Sequence, residues 1–453
     1  MKYHMSIQWH ITTQCQNRCR HCYVFDPATY AHERDCSLSL EEKIKVLDQI
    51  DAFGAKWDIS FDNVALMGGD PLLAPDWFEF AKALRERGKN VVFGGNPETL
   101  TPENLARLKE LQINRYQLSL DGLEKSHDTQ RRPGSFRNTL EGIRRLSDVG
   151  IPASIMGTLT PLNIDEFWEL IDLVFYDTPA RSFAFDFVAQ VGNARGMNVS
   201  FTPEQVLELS ERYLDMKLER KSQRPEFIFG EKPGLFRLLR VARGEYAHYD
   251  GGETYPSAGC LIGNNCLCLL SDGTMLSCRR FPEIVGRLPE DNLEDILLKN
   301  PVLKRYRRPQ FWKACGECMA WGYCRGCPAV SFGSCGDPFG PLPYCYAHLL
   351  DLPVHQPHAP IPMDTTPEEE VALIKRNLLQ TYFDQIHRGV VNPAFSEELL
   401  HFCDDAQEEQ AFLRSPREWF ERRHPQWNEL ERHLFTVRFN QLRHTNDFEA
   451  FGG

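Results

Sequence analysis

Three cysteines, Cys15, Cys19 and Cys22, stand in a Cys-x3-Cys-x2-Cys spacing directly behind an apolar stretch, Ser6–Thr12, that reads as a β-strand. Three thiolates on one short loop can hold three irons of a [4Fe–4S] cube and leave the fourth iron without a protein ligand. An open iron is a place for chemistry, whereas a fully ligated cluster moves electrons. Zinc is the alternative for the same triplet, with His21 or a distant residue as fourth ligand. The triplet by itself leaves both open.

A second zone holds Cys260-x5-Cys266, then Cys278, the run Cys315-x2-Cys318-x5-Cys324-x2-Cys327, and Cys345. The chain has 15 cysteines, and only Cys403 falls outside the zones 15–36 and 260–345. Disulfides are disfavoured in the cytosol, so clumping of this kind points to metal. Within the second zone Cys315, Cys318, Cys324 and Cys327 could form a single zinc knuckle. Cys36 and Cys403 read as ordinary residues.

Elements must position these loops. Strands are expected at Ser6–Thr12, Asn63–Met67, Asn90–Phe93, Arg115–Leu120, Ala153–Thr158 and Phe183–Val188. Helical patterns alternate with them. Ser39-Leu40-Glu41-Glu42 is a capping box, followed by Leu40, Ile44, Leu47 and Ile50 at helical spacing and closed by Gly54. Further helices are expected near 77–87, 102–111, 135–149 and 164–175. Strand–helix repeats imply a parallel sheet, and six units suggest an α/β fold, a partial (β/α)6 TIM-like barrel with its chemistry at the C-terminal strand ends. The first cysteine loop sits at that end. Residues 1–201 form this barrel and 202–254 a helical connector. From 255 to 351 periodicity fades and metals are expected to hold the chain together. Pro-rich 352–366 reads as a linker, and 367–453 as a helical extension with caps at Thr366-Pro367-Glu368-Glu369 and Ser415-Pro416-Arg417-Glu418.

Net charge is −12 over 453 residues, which argues against a nucleic-acid partner. There is neither a signal peptide nor an apolar run of membrane length, so a cytoplasmic protein without membrane attachment is expected.

The cysteine triplet resembles the signature of the radical S-adenosylmethionine (SAM) superfamily. Gly68-Gly69-Asp70-Pro71, after the second strand, resembles that family's Gly-Gly-Glu-Pro segment, with Asp70 in place of the commoner Glu. Ser119 and Asp121, in Leu118-Ser119-Leu120-Asp121-Gly122, and Arg131 resemble the fourth-strand region of its peptide-modifying branch. The resemblance implies that the open iron binds SAM and that reductive cleavage gives a 5′-deoxyadenosyl radical. It places His21, Gly68, Gly69, Asp70, Pro71, Ser119, Asp121 and Arg131 around SAM. Val191-Gly192-Asn193-Ala194-Arg195 also resembles a loop of this branch.

The second zone, with Gly273-x4-Cys278 after an Asp272-Gly273 turn, resembles the SPASM domain, an auxiliary-cluster module. The resemblance assigns Cys260, Cys266, Cys278 and Cys327 to one auxiliary [4Fe–4S] cluster, and Cys315, Cys318, Cys324 and Cys345 to another. Cys268 is a rival to Cys266, and Cys335 to Cys327 or Cys345. Only Arg325 and Gly326 separate the last two cysteines of the run, one residue fewer than usual. Three [4Fe–4S] clusters and SAM are the cofactors implied.

The function implied is maturation of a ribosomally made precursor peptide by a thioether or carbon–carbon crosslink, with an electron donor such as flavodoxin or ferredoxin. Alternatives are peptide epimerisation, tetrapyrrole or small-molecule modification, formylglycine-type sulfatase maturation, and a non-catalytic iron–sulfur or zinc scaffold. Against the sulfatase reading, Arg279 and Arg280 stand where that subgroup has an aspartate. The chain starts at the first barrel strand, so no leader-binding domain is expected before it, and either a separate protein or residues 367–453 would bind the leader. For 367–453 the expected role is packing or dimerisation, with leader binding as the alternative.

Overall fold

The structure is a computed structural model. It describes residues 3–220, 222–243, 260, 262–264, 266–322, 324–350, 358–375, 398, 401, 405–427, 432, 435, 436 and 439. Cys403, most of the helix expected from Thr366 onward and the end of the expected connector lie outside these residues.

Ten strands form one sheet: β1 (Tyr3–His10), β2 (Ile59–Met67), β3 (Asn90–Gly94), β4 (Arg115–Ser119), β5 (Ala153–Leu159), β6 (Ser182–Phe187), β7 (Ile228–Phe229), β8 (Cys266–Leu269), β9 (Thr274–Cys278) and β10 (Phe281–Arg287). Their order is β10-β9-β8-β1-β2-β3-β4-β5-β6-β7. From β1 to β7 every neighbour is parallel, with helices 40–57, 77–86, 102–110, 135–148 and 167–177 on the crossovers. Parallel neighbours require such crossovers. The sheet is that of the expected partial barrel, and all six strands expected from the sequence are present within a few residues.

Strand alternation separates core from lumen. In β4, Tyr116 and Leu118 are fully buried, while Gln117 and Ser119 face the cavity described below. Trp9 of β1 packs edge-on against Phe80 at 4.9 Å, and Trp77 against Phe93 at 5.7 Å, which seats helix 77–86 on the sheet. Each such fully buried side chain contributes roughly 1.5–3 kcal/mol.

The capping box is present: the Ser39 side chain accepts from Glu42 N, and Glu42 Oε2 accepts from Ser39 N. The helix does not stop at Gly54, however. It runs to Trp57 and ends on Asp58 in the left-handed region. Gly54 is required there because a Cβ would sit 2.5 Å from the Ile59 carbonyl oxygen.

Three differences from the sequence reading concern the second half. The 202–254 stretch contains β7, which extends the parallel sheet beyond six strands. The cysteine-rich zone has regular structure: β8 lies parallel to β1, and β8–β9–β10 is an antiparallel meander. Its strands are short and crowded with Cys and Gly, which hides their alternation. Residues 358–366 are packed rather than a free linker. Arg308 Nε donates to Pro362 O, Gln310 Nε2 to Ile361 O and Lys304 Nζ to Met363 O. Glu370 then meets Arg307 and Arg308, all three buried. Thr366 and Glu369 form the expected cap, whereas Ser415 precedes helix 416–423 without a side-chain cap bond.

Candidate active site

At the C-terminal ends of the parallel strands lies a cavity of about 330 Å³. Cys15, Cys19 and Cys22 line it together with Gly68, Gly69, Ser119, His21 and Arg131. Most of the expected SAM-site residues therefore line the same cavity.

The cysteine loop is fixed by its neighbours. Gly69 N donates to Thr12 O at 2.8 Å and Asp70 N to Gln14 O at 2.7 Å. At Gly68 φ is +147°, and a Cβ would lie 3.2 Å from Thr12 N; at Gly69 it would lie 2.6 Å from the Gln14 carbonyl carbon. The glycine pair thus lets the end of β2 close on the chain entering the cysteine loop. On the other side Asn193 N donates to Cys22 O and Asn193 Nδ2 to Cys19 O, both at 3.0 Å. Gly192 has φ of +60°, and a Cβ there would stand 2.5 Å from Cys22 O. The 191–195 loop is therefore the second clamp on the cysteines.

Donors surround the sulfurs. Asn96 Nδ2 and Asn17 N approach Cys15 Sγ at 3.3 and 3.4 Å, and Asn17 Nδ2 bonds Asn96 Oδ1 at 2.9 Å. Arg131 Nη1 approaches Cys19 Sγ at 3.7 Å. Burial pushes the Cys22 thiol up to about 12 and raises Cys15 and Cys19. The thiolate form there calls for positive charge, which bound iron supplies. The donor set fits a cluster. Among the described residues no three His, Cys, Asp or Glu side chains close on one ion; ligands of a cube each bind a different iron and stand further apart.

Asp121 is fully buried and holds Arg131 through Nε–Oδ2 at 2.6 Å and Nη2–Oδ1 at 3.3 Å. Burial opposes the Asp121 charge, but Arg131 wins and keeps the carboxyl well below the usual range. Thr158 N also donates to it at 2.9 Å. Burial brings His21 down to about 4, so its 3.5 Å contact with Asp121 involves a neutral imidazole.

Asp70, Pro71 and Asp121 do not line the cavity. Asp70 turns inward, where it accepts from Thr99 Oγ1 at 2.9 Å and from Asn96 N and Leu72 N at 3.3 Å. Asp70 and Asp121 are thus positioning residues. A carboxylate is what the trio of donors around Asp70 requires, and Asp is long enough to reach them.

In the second zone, Cys315, Cys318, Cys324 and Cys345 line one small pocket with Trp321 and Leu342. Cys327 is not among its lining residues. It sits by Arg280, with Nη1 3.5 Å from its Sγ, and shares charged neighbours with Cys260 and Cys278. This interleaving separates Cys327 from the run that a single zinc knuckle would use. Cys266 bonds Cys268, Ser6 and Gln8, and Cys268 is the one of the two with Cys278 as a charged neighbour. Cys335 bonds Ser331 O at 3.2 Å on an exposed helix end and joins neither group. Arg325 supplies the shortened spacing with a φ of +56°, between the two groups.

Cys278, Arg279 and Arg280 also line the central cavity, as do His10, Asp186 and Lys232. These last three were not foreseen. His10 is fully buried, and neither ring nitrogen has a hydrogen-bond partner among the described residues. Burial, then Arg279, holds it neutral. The signal available in the sequence was position: His10 and Asp186 stand at the C-terminal ends of strands. Asn96 likewise follows a Gly94-Gly95 pair after β3.

Fold and site together define a partial-barrel enzyme with a three-cysteine loop at the catalytic end of the sheet. Residues 9–174 match the family model of the Radical SAM superfamily, so that stretch is a radical SAM domain. It is 27% identical over 350 residues to the AdoMet-dependent heme synthase of Methanosarcina barkeri, covering 75% of this chain and 95% of that protein. It is 26% identical over 381 residues to the mycofactocin maturase of Mycobacterium ulcerans, covering 79% and 92%. The structure of Streptococcus suis SuiB bound to its precursor peptide SuiA superposes with a TM-score of 0.57 at 16% identity, covering 76% of this chain and 75% of that one, a likeness of fold. Among the described residues no helix is long and apolar enough to cross a membrane.

Proposed function

We propose that the chain oxidatively modifies a ribosomally made peptide, with a SAM-binding cluster on Cys15, Cys19 and Cys22 and two auxiliary clusters in the second zone. The observation that carries this reading is Cys278, an expected auxiliary ligand, on the wall of the cavity that the first three cysteines line. With cluster and SAM bound, the chemistry supplied is hydrogen-atom abstraction by a 5′-deoxyadenosyl radical. An auxiliary cluster held in part by Cys278 would supply an acceptor for the second electron of such an oxidation.

The chain's own residues orient and shield. The Gly68-Gly69 backbone, Ser119 and Arg131 face SAM, with Arg131 held by Asp121. His10 contributes a neutral ring to the cavity lining. Similarity to the mycofactocin maturase supports a peptide. A second reading, a tetrapyrrole substrate, is favoured by the similarity to the heme synthase. The aspartate expected of sulfatase maturases is replaced by Arg279 and Arg280, and Arg280 bonds Asp186 and Phe187 O. Flavodoxin or ferredoxin would supply electrons.

Anaerobic reconstitution should give about twelve irons per chain if three clusters form. Dithionite and SAM should then yield 5′-deoxyadenosine. Incubation with a short Cys- or Gly-rich peptide, sought in the reading frames beside the gene, and in parallel with an iron coproporphyrin, tests the substrate. Mass loss in the peptide supports the proposal, and turnover of the macrocycle alone overturns it.

A further inference from the structure

Part of the cavity wall is built from two strand ends. Register pairs Ser182 with Ile228, so counting in twos brings Asp186 and Lys232 to the same level on the lumen side. The residue before Lys232 points the other way. Glu231 is buried and bonds Lys217 at 2.6 Å and Arg240 at 2.9 and 3.1 Å.

The cations on the wall are unequal. Arg131 is neutralised by Asp121, Arg279 meets Glu33 at 3.5 Å and Arg280 pairs with Asp186. Asp186 is the one carboxylate on the wall among the described residues, and Arg280 already occupies it. Lys232 has no hydrogen-bond or ion-pair partner among the described residues. It feels Asp186 through space, opposed by Arg115 and Arg280. Burial, the largest influence, brings its ammonium down to about 8, so at neutral pH it is a charged donor in want of an anion. Arg131 serves the cysteine side of the cavity, so the anion at Lys232 need not be that of SAM.

We propose that Lys232 is the anchor for a carboxylate of the substrate, and that Arg280, held by Asp186, forms the adjoining wall of this subsite. The subsite deepens the peptide reading by asking for an acidic residue beside the reacting one. A propionate of a macrocycle presents the same chemistry, and the two sources are separable.

The test uses the full reconstituted chain without turnover, so it stands whether or not the peptide reading does. Binding of glutarate and of uncharged glutaramide is measured by ligand-observed NMR in wild type, Lys232→Gln and Lys232→Arg, with folding checked by circular dichroism and iron content. Glutarate should bind wild type and Lys232→Arg, lose at least tenfold in affinity in Lys232→Gln, and outcompete glutaramide. Displacement of glutarate by acetyl-Ala-Glu-Ala-amide but not its Gln counterpart assigns the subsite to a peptide. Displacement by coproporphyrin III but not its methyl ester assigns it to a macrocycle. Equal glutarate binding in Lys232→Gln, equal binding of glutaramide, or a parallel loss of SAM affinity overturns the proposal.

Discussion

Gly69→Ala is the sharpest probe of how the cysteine loop is held. The added methyl would lie 2.6 Å from the Gln14 carbonyl carbon and 2.7 Å from Thr13 O, whereas ordinary contact begins at 3.4 Å. These are backbone atoms, with the Gln14 carbonyl oxygen closer still, so no side chain can swing aside, and the two segments must part by roughly 1.2 Å. Parting them strains the Gly69 N–Thr12 O and Asp70 N–Gln14 O bonds. At ~0.5–1.5 kcal/mol each, the stability loss is about 1–3 kcal/mol. The larger effect falls on chemistry, because a misplacement near 1 Å in a reacting geometry costs on the order of a hundredfold. Formation of 5′-deoxyadenosine from SAM and dithionite should fall roughly tenfold to a hundredfold. Urea unfolding and iron content on the same preparation separate the rate loss from misfolding. A variant that unfolds at the wild-type midpoint and cleaves SAM at the wild-type rate would refute the reasoning.

Asn96→Ala removes the amide at Cys15 Sγ and the partner of Asn17, so the reduction potential of the first cluster should fall in an EPR-monitored titration; an unchanged potential contradicts the contact. Burial raises Asp70 to about 6, so its carboxyl favours the folded state most below about pH 4, and that contribution fades as pH rises through 6. Asp70→Asn should flatten this part of the unfolding profile between pH 4 and 7, by at most roughly 3 kcal/mol. Glu370→Gln leaves Arg307 and Arg308 without their shared buried carboxylate and should cost about 3–5 kcal/mol in urea unfolding. A cost under about 1 kcal/mol would mean that the strap 358–375 does not close on helix 301–306.

Chemistry was legible where it is local in sequence. The triplet Cys15, Cys19 and Cys22, the glycine pair and Ser119 are each contiguous motifs at a strand end, and they meet in one cavity. The six parallel strands were legible because their apolar runs alternate with amphipathic helices. For Asp70 and Asp121 a motif names residues without saying which way they point. Their carboxylates turn inward to Thr99, Asn96 and Arg131, partners distant in sequence. Lys232 was invisible because β7 is two residues long and its lumen row emerges only from pairing with β6. The meander β8–β10 was masked by the density of Cys and Gly that made the zone conspicuous.

The pairing of β8 with β1 bears on how the molecule is made. Ser6 through Trp9 of β1 wait for Cys266 through Leu269, which leave the ribosome far later. Until then β1 presents an open edge of backbone donors and acceptors, the kind that recruits strands from other chains. Synthesis halted before residue 260 therefore yields a barrel half with a sticky flank, however well its own strands have paired. In the cell, full-length translation is what retires that edge, and nascent or truncated chains are the species most in need of a chaperone.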